Sequence, residues 1–294
     1  MPGRVPSSAG RTVVVANHAI QVELLPDIGA RLHRLRVFGH DLLRTPDDPS
    51  THAEDPFGWG AYVMAPWCNR IAAAPTDIDG ESVDIPSNFP DGTAIHGQVY
   101  RERWQQDDDG TFRVEAGGGG WPWRYESALH LAVIGTTLMI EQTLTNLAET
   151  PMPGGLGLHP WFRRPLEVRV NAGTVLRSNL DPDSLAVPVS GQWDLRGRRP
   201  MPDDLDAAWL TLGDPAVELR WPAAGLQAAM RVRSGAGTWI VAASPRSVDA
   251  VAIEPQTHAP YGLRRLLSGE PGGLRPLEPG DTLELTTELA FDRP

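Results

Sequence analysis

The sequence predicts an all-β protein, built as a large antiparallel β-sandwich. Three observations carry this: apolar residues recur mostly at a spacing of two, the runs are short, and Gly, Pro or Asp turn signals stand between them. A spacing of two sends alternate side chains to opposite faces of a strand, one towards a core and one towards water. The long amphipathic helix is missing throughout, so the apolar face of one sheet has to be covered by another sheet.

Taken in order, residues 1–10 begin with a polar, turn-forming stretch and read as a disordered lead-in. Thr12-Val13-Val14-Val15-Ala16 and Ile20-Gln21-Val22-Glu23-Leu24 are the first strand-like runs. Asp79-Gly80, Asp109-Gly110 and Gly117-Gly118-Gly119-Gly120 mark turns between later runs. Residues 125–133 and 137–144 read as neighbouring strands joined through Gly135. Leu166-Glu167-Val168-Arg169-Val170 alternates cleanly, as do residues 283–289, with turn signals at Pro222 to Gly225 and at Pro279-Gly280-Asp281. No fixed-period repeat or linker-like tract divides the chain, so residues 11–294 are expected to form a single domain.

At 294 residues the chain exceeds the usual domain length, but all-β sandwiches are an exception to that rule. Apolar content of 41% and charged content of 21% supply material for a sizeable core. A formal net charge of −11 argues against nucleic acid or an anionic membrane as partner, since both demand clustered Lys and Arg. A neutral small molecule suits the charge better. Cys68 is the only cysteine, which excludes an intrachain disulfide and fits a reducing compartment, so a cytoplasmic location is expected.

Several motifs carry no chemistry. The four glycines at 117–120 lack the Lys-Ser/Thr of a phosphate loop, and Asp107-Asp108-Asp109-Gly110 lacks the ligand spacing of a calcium loop. The eight histidines show no HExxH pair, Cys68 has no second thiol for zinc, and no GxSxG elbow is present. Neither metal nor cofactor is expected.

Three segments stand apart: Ala94-Ile95-His96-Gly97, Gly157-Leu158-His159-Pro160-Trp161-Phe162 and Ala252-Ile253-Glu254-Pro255-Gln256-Thr257. Each sets one ionisable residue among apolar, Gly or Pro neighbours at the end of a candidate strand. A charge there is costly without a partner, and burial is also how acids and bases are tuned. For His96 and His159 taken singly a hydrogen-bonded structural histidine is the stronger reading, whereas Glu254 fits a structural and a catalytic role about equally and needs a partner for its burial.

Taken together with Met64-Ala65-Pro66-Trp67-Cys68-Asn69-Arg70 and Leu205-Asp206, these segments resemble, in order, the signature segments of aldose 1-epimerases. The resemblance spans nearly the whole chain. Ile28-Gly29-Ala30-Arg31-Leu32 resembles the first β-hairpin of that family, and Ile78-Asp79-Gly80 its turn after the Asn-Arg segment. The resemblance implies a β-supersandwich whose concave face holds a free sugar, with no cofactor, as a monomer or homodimer. It implies His159 as the acid at the ring oxygen and Glu254 as the base at the anomeric hydroxyl. Arg70, His96 and Asp206 would bind sugar hydroxyls, with Asn69 beside Arg70 and with Trp67 and Trp161 bordering the site, or packing in the core. Arg70 fits pairing with a structural carboxylate as well, and Asp206 fits a plain loop charge.

The chain departs from the family pattern at Trp161-Phe162-Arg163, at Gln98 after His96-Gly97, and at Pro260-Tyr261-Gly262, which leaves the preferred aldose open. Arg163-Arg164 would suit a sugar phosphate, as in hexose-6-phosphate epimerases, or would form a surface pair. Two rival functions are a non-catalytic sugar-binding sandwich, which needs no acid–base pair, and a glycoside hydrolase, which needs two opposed carboxylates.

Overall fold

The computed structural model describes residues 10–72 and 74–293, so the expected lead-in lies, apart from Gly10, outside the described residues. Strands dominate, and the two α-helices among the described residues, Thr51–Glu54 and Gly262–Leu267, are short. No helix is long and apolar enough to cross a membrane.

The strands that matter for the site are, in chain order, Val13–Ala16 (β1), Ile20–Leu25 (β2), Arg31–Val37 (β3), Ala61–Met64 (β4), Arg70–Ala72 (β5) and Thr93–Ile95 (β6). There follow Phe112–Gly118 (β7), Trp121–Ile134 (β8), Thr137–Asn146 (β9), Gly157–Arg163 (β10) and Glu167–Leu176 (β11). The last are Asp206–Trp221 (β12), Leu226–Arg233 (β13), Trp239–Ala243 (β14), Ala250–Gln256 (β15) and Thr282–Asp292 (β16). The turn signals at 117–120, Gly135 and 222–225 join β7 to β8, β8 to β9 and β12 to β13, as their glycines predict.

Neighbour to neighbour, the main sheet runs β1–β2–β3–β4–β10–β15–β14–β12–β13–β16–β9–β8–β7, antiparallel at every step. β11 pairs along β12 as an additional strand. One apolar cluster takes Val22 and Leu24 from one end of this route and Phe112, Leu129 and Ile140 from the other, so the sheet curls over its own core. Trp67 belongs to that core, its ring 5.1 Å from Trp121, and does not face the site.

The middle strands β4, β10, β15 and β14 are buried on both faces. Val63, Leu158, Ile253 and Ile240 point into the main core, while Met64, Trp161, Ala252 and Val241 point the other way and form small separate clusters. This explains why Ala250-Val251-Ala252-Ile253 reads as a continuous apolar run and not as an alternating one.

Candidate active site

Gly157 pairs with Gln256 and Trp161 with Ala252, and this register sets His159 of β10 across from Glu254 of β15. Both side chains leave the main core and meet, with His159 Nε2 3.2 Å from Glu254 Oε1. They are only 5% and 2% exposed. Burial pushes the imidazole of His159 down to about 3, with a smaller contribution from the Arg31 guanidinium. Burial pushes Glu254 well above the usual carboxylate range; Asp206 adds to this, while a hydrogen bond from Gln256 and the charge of Arg70 oppose it. Such a pair titrates as one unit and holds a single proton between its two outer protonation steps.

His96 follows β6, which pairs with β5 so that Arg70 lies opposite Ile95. Asn69 and His96 both adopt left-handed backbone, at φ 57° and 62°, a region in which Asn and His are enriched. Their clamp is reciprocal: Asn69 N–H donates to His96 Nδ1 at 3.2 Å, and His96 N–H donates to the Asn69 carbonyl at 3.0 Å. The Asn69 side-chain oxygen accepts from the Arg70 N–H at 2.8 Å. Gly97 completes the turn, because a Cβ there would clash with the Ala65 carbonyl oxygen. His96 thereby stands edge-on to His159, with ring centres 5.0 Å apart. Burial holds His96 well below its ordinary range, and His159 and Arg70 reinforce this.

Arg70 does pair with a carboxylate: its Nε donates to Asp91 Oδ2 at 2.6 Å. The guanidinium also acts electrostatically on both Glu254 and Asp206. Asp206 is the first residue of β12, not a loop charge, and accepts from the Asn179 side-chain amide. Burial raises its carboxyl, against the Asn179 hydrogen bond and the Arg70 charge. Trp161, two residues beyond His159 on the same face, sets its ring 5.1 Å from the imidazole and donates its indole N–H to the Phe57 carbonyl at 2.6 Å. The residues singled out from sequence are thus gathered around one buried imidazole–carboxyl pair.

Other residues of the site were not picked out in sequence. Gln256 Nε2 donates to Glu254 Oε2 at 2.8 Å, and its position two residues along the same strand was a readable signal. Tyr62 of β4 stacks on His159 at 4.6 Å with planes 17° apart, but only the pairing of strands distant in sequence brings the two together. Among the departures from the family pattern, Gln98 faces the 117–120 hairpin, donating to the Gly118 carbonyl and accepting from Tyr125 Oη. Arg163 donates to the Leu43 carbonyl, while Arg164 pairs with Asp203 and reaches the Ser244 carbonyl. Tyr261, with Arg70, Leu263 and Leu267, lines a cavity of about 350 Å³ to which neither His159 nor Glu254 contributes.

A base and an acid held this close, flanked by a neutral imidazole, a guanidinium and a carboxylate, form a site able to move protons on a polyhydroxyl ligand. The comparisons agree with the family resemblance. The aldose 1-epimerase family profile matches residues 11–288. The Escherichia coli K12 protein YphB, uncharacterised, is 22% identical over 249 residues, covering 78% of this chain and 82% of YphB. Among solved structures, a galactose mutarotase-like protein from Clostridium acetobutylicum superposes with TM-score 0.81 at 15% identity, covering 99% of this chain and 98% of its own. The GalM/aldose epimerase homologue from C. elegans gives 0.80 at 18%, covering 97% and 99%. Galactose 1-epimerase from Lactobacillus acidophilus gives 0.74 at 15%, covering 96% and 94%. At these identities the structures establish the fold, and the profile across nearly the whole sequence establishes the lineage: the chain belongs to the aldose 1-epimerase family.

Proposed function

We propose that this protein interconverts the α and β anomers of a free hexose by acid–base ring opening and reclosure, without a cofactor. The observation that carries this reading is the buried His159–Glu254 pair at 3.2 Å. A bound sugar enters between the two groups. Glu254 takes the proton of the anomeric hydroxyl O1, protonated His159 gives its proton to the ring oxygen O5, and the C1–O5 bond breaks to leave an open aldehyde. Rotation about C1–C2 presents the other carbonyl face. Closure then runs the same transfers backwards: O5 attacks C1, its proton returns to His159, and Glu254 protonates the new O1.

The pair holds one proton before and after ring opening; the sugar carries it from imidazolium to carboxylate. Burial favours the uncharged form, with Glu254 protonated and His159 neutral. Close contact of the pair and the hydroxyls of the sugar favour the charged form. Opposing preferences of this kind bring the two forms towards equal energy, which suits a catalyst that must work equally in both directions. General acid–base assistance contributes roughly 10²–10⁴-fold per placed group, so the chemistry requires no metal. Neutral His96 and Arg70 supply donors to hydroxyls, and Asp206 accepts from them.

A free hexose is favoured over its 6-phosphate because Arg163 and Arg164 are already engaged, by the Leu43 carbonyl and by Asp203. The test is polarimetry on freshly dissolved α-glucose, α-galactose and α-glucose 6-phosphate, with wild type, Glu254→Gln and no protein. Faster decay of rotation with wild type alone, on a free sugar, supports the reading. Sugar binding without acceleration of any of the three would replace it with the non-catalytic alternative.

A further inference from the structure

The register that joins His159 to Glu254 continues across two more strands. Tyr62 of β4 pairs with His159, and Leu32 of β3 pairs with Ala61, which sets Arg31 opposite Tyr62. Arg31, Tyr62, His159 and Glu254 therefore form one cross-strand row on the face away from the main core. Side-chain contacts run along its whole length: the Arg31 guanidinium stands 4.9 Å from the Tyr62 ring centre, Tyr62 stacks on His159 at 4.6 Å, and His159 meets Glu254 at 3.2 Å.

Arg31 is fully buried, and no carboxylate forms an ion pair with it among the described residues. Neutral acceptors hold it instead. It donates to the carbonyls of Pro56 at 2.7 Å and Trp59 at 3.1 Å, and its Nη1 lies 3.4 Å from His52 Nδ1. With Nδ1 accepting, His52 carries its proton on Nε2 and donates to His33 Nδ1 at 2.9 Å. A buried cation without a counter-ion is costly. The ring Arg31 faces, that of Tyr62, is the plate against which the His159 imidazole lies.

We propose that Arg31 and Tyr62 are positioning residues for His159: the tyrosine ring fixes the plane of the imidazole, and the guanidinium behind it makes release of the imidazole proton easier. This rests on the acid role of His159 argued above. A flat aromatic stack restrains ring rotation without competing for the imidazole nitrogens, so Nε2 remains aimed at Glu254 and at the space a sugar takes. Two unit charges on the order of 10 Å apart in a protein interior interact strongly enough to move a titration by roughly one pH unit. The other ionisable groups around the imidazole are His96, edge-on to it, and Glu254, which Arg70 and Asp206 influence in turn; Tyr100 and Asp55 stand near the far end of the row.

The test compares Arg31→Met and Arg31→Gln, which remove the charge, with Arg31→Lys, which keeps it. Gln retains a donor for the Pro56 and Trp59 carbonyls, so at least one neutral variant keeps that shell satisfied. The readouts are the pH profile of mutarotation and the NMR titration of His159. Activity is lost at alkaline pH when the pair gives up its one proton. Loss of a nearby cation makes the pair hold that proton more tightly, so the alkaline limb moves up by roughly one pH unit in the neutral variants and stays near wild type in Arg31→Lys. Tyr62→Leu, with Arg31 intact, lowers kcat about tenfold with little change in KM, as expected from loss of alignment alone. His159→Asn separates the two claims: if it retains activity, the acid assignment fails. If it is inactive while a folded neutral Arg31 variant keeps the wild-type limb and the wild-type His159 titration, the role of Arg31 is overturned.

Discussion

Asn69 and His96 hold each other by two reciprocal hydrogen bonds, Asn69 N–H to His96 Nδ1 at 3.2 Å and His96 N–H to the Asn69 carbonyl at 3.0 Å. Since Nδ1 accepts, the imidazole proton sits on Nε2, and burial keeps the ring neutral far below its ordinary range. His96 is thus a fixed neutral donor and does not share the acid role of His159. Nitrogen NMR of the imidazole is expected to report the Nε2–H tautomer unchanged from pH 8 to about 5. His96→Ala removes one neutral donor and is expected to raise KM roughly five- to tenfold, with a smaller effect on kcat. Protonation of His96 near neutral pH would refute the assignment.

The catalytic assignment makes a sharper demand. Glu254→Gln and His159→Asn preserve the volume of buried groups, so both are expected to fold and to bind sugar, which calorimetry on galactose or glucose checks. Turnover, however, is expected to fall by about 10²–10⁴-fold in each. The double variant should lose little beyond the worse single one, because acid and base act as a unit in each half-reaction. Full additivity of the two losses, or activity near wild type in either variant, would contradict the shared-proton pair.

The main-sheet alternation and its turns were legible in the sequence because they are local: Gly117 to Gly120 and Gly135 declare their hairpins from composition alone. His159 and Glu254 were legible as ionisable residues among apolar neighbours, although they lie within β10 and β15 and not at the strand ends expected, and the family resemblance ordered them. The row behind them was not. Arg31 and Tyr62 sit 31 residues apart, and Tyr62 and His159 97 residues apart, in the numbering; only inter-strand register aligns them. Trp67 illustrates the converse. It adjoins the Asn69-Arg70 segment in sequence, yet its ring packs on Trp121 in the core, since the chain between them is not a strand and turns at the left-handed Asn69.

Buried histidines also set the acid stability. Burial pushes His52 down to about 2, His159 to about 3 and His258 to about 4. Each has a folded value below its unfolded one, so below the ordinary histidine value of 6.5 the unfolded chain binds protons at His52 and His258 that the folded chain refuses, whereas the His159–Glu254 pair already holds one proton when folded and takes up none on unfolding there. Stability is therefore expected to fall as pH drops from about 6.5 towards 4, by proton uptake that histidines dominate. His258 accepts from the Cys68 N–H at 3.0 Å and contacts the Ala259 carbonyl at 2.7 Å. His258→Gln is expected to reduce the slope of unfolding free energy against pH by about one proton in this window, measured by urea titration at several pH values. An unchanged slope would show that His258 is not among the groups that titrate on unfolding.

Asp206 offers a test from the opposite side of the pair. After burial, its charge is the next cause that raises Glu254, and a hydrogen bond from Gln256 and the Arg70 charge act the other way. In the proposed reaction, activity disappears at acid pH when the pair takes up a second proton, leaving no base. Asp206→Asn removes a negative charge, makes that second proton harder to add, and should move the acid limb of the kcat profile to lower pH. The alkaline limb, set by loss of the remaining proton, should move down as well, because the same negative charge helps the pair keep it. KM is expected to rise in the same variant, since Asp206 would no longer accept from sugar hydroxyls as a carboxylate. This pairing of effects separates electrostatic influence from a simple binding role: a raised KM with both limbs unmoved would leave Asp206 as a sugar contact alone, whereas limbs displaced downward together place its charge within reach of the proton that the reaction moves.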